Sequence, residues 1–260
     1  MSVSSESGSA GFTLSVARWP EVEAGPRRLL VVPVGSLEQH GPHLPLDTDT
    51  RIAAAVAARV CAARPGAGLA PAVAIGASGE HAGFPGTLSI GSAALSTVLV
   101  ELGRHASLHW PAMLLVNGHG GNVTAIRDAV QKLSDEGRLC HTWHAGVRPG
   151  NAGAGSGEGM PEPPGNDAHA GRTETSIMLA LAPGDVRLGD AAPGETRTLA
   201  EIMPDLRARG VRQVSPNGVL GDPSGASASE GKHLLALLTA DLSTALDTLL
   251  EAKDGGVLAK

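Results

Sequence analysis

The run Leu29-Leu30-Val31-Val32-Pro33-Val34-Gly35-Ser36-Leu37-Glu38-Gln39-His40-Gly41-Pro42-His43 decides the fold. Its first six residues are all apolar, whereas a strand with one wet face alternates apolar and polar side chains. A strand of this kind is covered on both faces, as parallel strands in α/β proteins are. Polar residues crowd in directly after it, at the carboxyl end where open α/β sheets bind ligands.

The same rhythm continues along the chain. Short apolar strands are expected at residues 70–75, 113–116 and 139–144. Helices are expected at 50–64, 92–109, 121–136, 172–181 and 232–251. The 121–136 segment carries Val123, Ile126, Val130 and Leu133 close to the helical period. Alternating strands and helices with fully apolar strands predict a layered α/β/α sandwich with a mainly parallel central sheet. Residues 1–12 read as a flexible tail and 13–260 as a single domain. Residues 146–165, rich in Gly, Pro and Asn, read as a long functional loop.

Composition narrows the function. Ten histidines stand against three Trp, two Phe and no Tyr. Glycine, at 35 of 260 residues, is about twice its usual share. The net charge is -6 and basic residues do not cluster, which argues against nucleic acid or an anionic membrane as partner. Cys61 and Cys140 lack metal or redox spacing and read as free thiols of a reducing compartment. No apolar stretch reaches the ~18 residues of a membrane span, and the start lacks the pattern of a signal peptide. A cytoplasmic protein is the expectation.

Residues able to bind metal gather at the strand ends. Glu38, His40 and His43 follow the first strand, with Asp47 and Asp49 just beyond. His119 follows the 113–116 strand inside Asn117-Gly118-His119-Gly120-Gly121-Asn122, and Asp167, His169 and Glu174 follow the long loop. Imidazoles with carboxylates and no thiolate suit Zn, Fe or Mn. Glu38 and His40 are two residues apart and leave an extended segment on the same side. They can therefore serve the two ions of a close pair, with Asp49 bridging and His119 completing the first site. Two such ions lower the pKa of a bound water and polarise an amide carbonyl. Taken alone, Glu38 and His40 read as a solvated turn, and only the other clusters make them ligand candidates. His105, His109, His141, His144 and His233 read as ordinary surface or edge residues. Asp47 reads as a turn residue or a supporting partner.

These motifs resemble a known family. The segment from Gly35 to Asp49 is similar to the signature of the creatininase (creatinine amidohydrolase) family. Asn117-Gly118-His119-Gly120-Gly121-Asn122, His169-Ala170-Gly171-Arg172-Thr173-Glu174-Thr175-Ser176 and Phe84-Pro85-Gly86-Thr87 resemble its further motifs, in the family's order. Together they span roughly residues 29 to 240. The resemblance implies a dinuclear metal centre and hydrolysis of amide C–N bonds. It assigns Glu38, Asp49 and His119 to one ion, His40 and the bridging Asp49 to the other, and the acid/base role to His169. One departure stands out: creatininase has a carboxylate two positions after the second-motif histidine, and this chain has Gly121. Glu174 is the expected substitute. His43, Glu80, His81, Phe84 and Asn117 are the candidates for contacting substrate, although Glu80 and His81 equally suit plain loop positions.

Within the family, the stretches around Asp49, Glu80 and Gly221 most resemble the branch that processes a ribosomally made precursor peptide. The implied substrate is a radical-modified precursor peptide whose C-terminal Val-Tyr unit is decarboxylated, cross-linked and then released as a dipeptide. The implied metals are iron and zinc, with manganese as an alternative, and the implied assembly is a homo-oligomer. Two other readings stay open: a relative that opens a cyclic amide or a formamide, and a non-catalytic metal- or peptide-binding protein.

Overall fold

The computed structural model describes residues 11–145 and 167–251. Five parallel strands form one sheet: β1 (Phe12–Thr13), β2 (Leu29–Val34), β3 (Ala67–Leu69), β4 (Ala112–Asn117) and β5 (Leu139–His144), in the order β1-β3-β2-β4-β5. β2 pairs with β3 on one side and β4 on the other, from Leu30 opposite Met113 to Val34 opposite Asn117. Successive connections from β2 therefore leave in opposite directions, which opens a crevice at its carboxyl end.

Both central strands are buried along their full length, and their side chains sort by parity. Leu29, Val31, Ala112, Leu114 and Val116 face one core. There they meet α2 (Thr48–Ala62), α5 (Arg172–Leu181) and α8 (Ala228–Glu251) through Ile52, Val56, Ile177, Met178, Leu234 and Leu242. Leu30, Val32, Val34, Met113 and Leu115 face the other core. There they meet α3 (Gly91–Ala106) and α4 (Val123–Asp135) through Leu95, Leu99, Ile126 and Leu133. The period of two in the strands thus distributes one apolar run between two helical layers, giving the expected sandwich. Each fully buried leucine contributes roughly 1.5–3 kcal/mol over its exposed state.

Several expectations need correction. The strand expected at 70–75 lies earlier, at Ala67–Leu69. Beyond it the chain still follows β2, through Ala70 N–H to Val31 O at 2.9 Å and Val73 N–H to Pro33 O at 2.9 Å. Pro71, which has no N–H, interrupts the ladder between them. The tail is shorter than expected, because Phe12 and Thr13 pair with Gly68 and Leu69. Residues 1–10 and the expected 146–165 loop lie outside the described residues. α1 (Trp19–Ala24), α6 (Leu199–Arg209) and α7 (Val211–Val214) were not anticipated. α8 is long and apolar enough, by length and composition, to cross a membrane, contrary to the expectation that no stretch is. Here Leu234, Leu235, Leu238, Leu242 and Leu246 are buried in the sandwich. Its Gly231 lets it reach α5, since a Cβ there would lie 1.8 Å from Ser176 O.

Candidate metal centre

The site forms where the chain leaves β2 and β4. After β2, Leu88 N–H bonds to Leu37 O at 2.9 Å, and Glu38 N–H to Leu46 O at 2.9 Å. These ties hold residues 37–40 extended over the sheet end, so Glu38 and His40 share a side. Asp49 lies in the first turn of α2 and faces the same space. A Cβ on Gly35 would meet Thr50 Cα at 2.4 Å, so only glycine lets the helix start so close to the strand end. Asp47 turns outward and pairs with Arg51 at 2.8 Å.

After β4, Asn117 Oδ1 accepts the His119 N–H at 3.2 Å and its Nδ2 donates to His119 O at 2.7 Å. Asn117 therefore braces the turn behind His119. Asn122 ties three segments together. Its Oδ1 accepts the Ala77 N–H at 2.8 Å, and its Nδ2 donates to Gly35 O at 2.9 Å and to Asn117 Oδ1 at 3.2 Å.

The functional side chains then converge. Glu38 Oε2 lies 3.1 Å from His119 Nε2, and Glu38 Oε1 lies 3.3 Å from His81 Nε2 and 3.6 Å from His169 Nδ1. Asp49 spans two imidazoles, with Oδ1 3.1 Å from His40 Nε2 and Oδ2 3.2 Å from His119 Nδ1. Ser36 Oγ donates to Asp49 Oδ2 at 2.7 Å. Glu174 Oε2 is 3.9 Å from His40 Nε2. The His169 ring lies 4.3 Å from that of His40 and 4.5 Å from that of His81, centroid to centroid.

Electrostatics follow from this crowding. Burial lowers the pKa of His40, but Asp49, Glu174 and Glu38 outweigh it and raise His40 to about 10. Burial likewise opposes protonation of His119, and Glu38, Asp49 and Glu80 hold it well above the usual imidazole range. Burial pushes Glu38 up to about 8 and Glu174 up to about 7. Asp49 stays well below the usual carboxylate range, because His40 and His119 overcome its burial. Burial, with His40 and His81 alongside, holds His169 well below the usual range, so its ring is neutral at pH 7. His81 is lowered to about 4, chiefly by burial.

The donor set fits a metal centre. Both carboxylate oxygens of Glu38 are fully buried and lack a hydrogen-bond partner, a costly state that a cation relieves. Donor atoms of Glu38, His40 and Asp49 lie within 4.8 Å of one another, as do those of His40, His169 and Glu174, and those of Glu38, His81 and His169. Imidazole and carboxylate together suit Zn, Fe or Mn.

The structure thus gathers Glu38, His40, Asp49, His119, Glu174 and His169, as the motifs suggested, and adds His81 beside Glu38. Glu80 sits at the edge, 3.5 Å from His119. His43 lies deeper, with Nε2 2.9 Å from Thr175 Oγ1. Phe84 packs with Ile202, Val211 and Leu220, its ring 5.1 Å beneath the Arg212 guanidinium. His144, read as an ordinary edge residue, accepts from Asn117 Nδ2 at 3.1 Å. The motif reading missed Gln39. Its amide nitrogen lies 2.9 Å from His81 Nδ1 and 3.0 Å from His169 Nε2 and donates to Gly218 O, while its backbone carbonyl accepts from His169 Nε2 at 2.7 Å. It missed Ser36 and Asn122 as well. The one signal for Gln39 was its place between the candidate ligands Glu38 and His40.

The chain is similar to known proteins over most of its length. The family model for creatininase, creatinine amidohydrolase, matches residues 15–246. The mycofactocin precursor peptide peptidase of Mycolicibacterium smegmatis is 52% identical over 213 residues, covering 80% of each chain. That of Mycobacterium ulcerans is 44% identical over 245 residues, covering 91% of this chain and 88% of the relative. Among solved structures, a creatininase variant described as Zn-Zn type superposes with a TM-score of 0.72 at 27% identity, covering 92% of this chain and 98% of that one.

Proposed function

We infer the function from one premise: the chain belongs to the creatininase family. It is a metal-dependent peptidase that hydrolyses one amide bond of the mycofactocin precursor peptide. The bond is the one whose cleavage releases the radical-modified, Val-Tyr-derived C-terminal dipeptide. The observation that carries this reading is the Glu38-His40-Asp49-His119 cluster with His169 beside it, in a chain about half identical to peptidases of that name. Glu38, Asp49 and His119 would hold one ion, and His40 with Asp49 the other, with iron and zinc as the pair. When bound, the ions supply Lewis-acid activation of water and of the peptide carbonyl.

The remaining chemistry belongs to the chain. The neutral His169 is fixed by its Nε2–H to Gln39 O at 2.7 Å, which leaves Nδ1 facing the carboxylate cluster. That nitrogen takes the proton of the attacking water and gives it to the departing amine, a role in general typically worth 10²–10⁴ in rate. Gln39 holds the tautomer, and Ser36 orients Asp49. The test is to incubate the metal-loaded chain with cross-linked precursor and follow release of the dipeptide by mass spectrometry. Cleavage of creatinine or of a formamide, with the precursor left intact, would overturn the reading.

A further inference from the structure

The centre has a carboxylate that the motif reading left on its rim. Glu80 lies in a short 3-10 turn, Gly79–His81. The backbone of that turn is fixed on both sides. Ala77 N–H reaches Asn122, Ser78 N–H reaches Ser89 Oγ at 2.9 Å, and His81 N–H reaches Ser78 O at 3.1 Å. From this base Glu80 Oε1 comes within 3.5 Å of His119 Nε2, the same nitrogen that Glu38 Oε2 approaches to 3.1 Å. Glu38 and Glu80 thus approach the same imidazole nitrogen from two different segments.

Gly121 makes this approach possible. A Cβ at position 121 would lie 2.4 Å from Glu80 Oε1, from His119 Nε2 and from Ala77 O. No side chain fits there, and the Glu80 carboxylate stands in the space such a side chain would enter. Glu174, the expected substitute for a carboxylate at 121, lies on the His40 side of the centre, its Oε2 3.9 Å from His40 Nε2. Its Oε2 accepts the Ala170 N–H at 2.6 Å, steadying the one described non-glycine residue with positive φ, 53°. The Glu80 side chain is one-third exposed, open to an arriving ion, whereas Glu38 is sealed.

We propose that Glu80 is a metal ligand of this centre, binding an ion together with His119 from the open side, while Glu174 serves as a structural acceptor. The inference rests on the metal-centre reading but not on the identity of the peptide. Its test is metal content. The full-length chain and its Glu80→Gln, Glu80→Asp and Glu174→Gln variants are stripped, reloaded with Co²⁺ or Zn²⁺, desalted and analysed by elemental mass spectrometry. The visible spectrum of the cobalt forms is recorded in parallel. Glu80→Gln should lose about one ion per chain and change the cobalt spectrum, because losing a ligand alters coordination. Glu80→Asp should recover part of both, and Glu174→Gln should keep the full content. Thermal melts of the stripped proteins check folding, to which the exposed Glu80 side chain adds little. Wild-type content and spectrum in Glu80→Gln overturn the proposal, as does loss of an ion confined to Glu174→Gln. A failed peptide-cleavage assay changes neither result, so the two readings fall separately.

Discussion

Loading the metal-free chain with divalent ions should expel protons, and the site's electrostatics give the number. At pH 7 His40, raised to about 10, is fully protonated. Glu38, raised to about 8, is protonated in roughly nine chains of ten. His119 is held well above the usual imidazole range in part by the charge of Glu38, so the two hold at least one proton between them. Imidazoles and carboxylates bind metal only without these protons. Full loading at pH 7 therefore releases at least two protons per chain, one from His40 and one from the Glu38–His119 pair. Stripping His40 about three pH units below its pKa costs roughly 4 kcal/mol, and the Glu38–His119 pair adds to it. All three pKa values are raised, so protons compete hardest at low pH. Zinc affinity should rise from pH 6 upward, by about two decades or more per pH unit near pH 7. The slope should flatten as Glu38 titrates near 8 and His40 near 10. Calorimetric titration with zinc, in two buffers of different protonation enthalpy, counts the protons directly. Heats independent of buffer, or an affinity independent of pH, would refute this account.

Three further outcomes test other parts of the structure. His169→Ala should keep its metal content and lose about 10²–10⁴ in turnover; loss of metal as well would make His169 a ligand rather than the acid/base. Asp49→Ala removes the carboxylate shared by His40 and His119, so elemental analysis should find the centre largely empty, and a fully loaded, active variant refutes its bridging place. Gly231→Ala sets a methyl 1.8 Å from Ser176 O between α5 and α8, which should cost at least ~1–3 kcal/mol and lower the melting temperature by several degrees; an unchanged melt shows that the two helices separate freely.

The central sheet was legible because β2 and β4 are apolar at nearly every position and bounded by glycine and polar residues. The bounds of β5 and α5 also agree with the sequence reading. The convergence of these carboxylates and imidazoles was legible because their motifs all fall at strand ends, where parallel topology brings distant segments together. What stayed hidden has physical causes. β3 was misplaced because Val73 and Ile75 look like strand interior, while Pro71 breaks the ladder before them. α6 was missed because Pro204 sits inside it, although Thr198 and Glu201 form a readable capping box. Gln39 and Asn122 act by holding neighbours, and a sequence shows such roles only when the neighbours are known. Phe84, a candidate for contacting substrate, lies in three dimensions beneath Arg212, a neighbour the sequence does not show.

The amide of Asn122 has a consequence beyond its own three bonds. By fastening Gly35, Ala77 and Asn117 to one point, it makes the spacing of Glu38, Glu80 and His119 a property inherited from the sheet. The loops around the rim are then free to drift. A change of sequence at the rim then leaves the floor of the site, and the distances between its carboxylates and imidazoles, as the sheet set them.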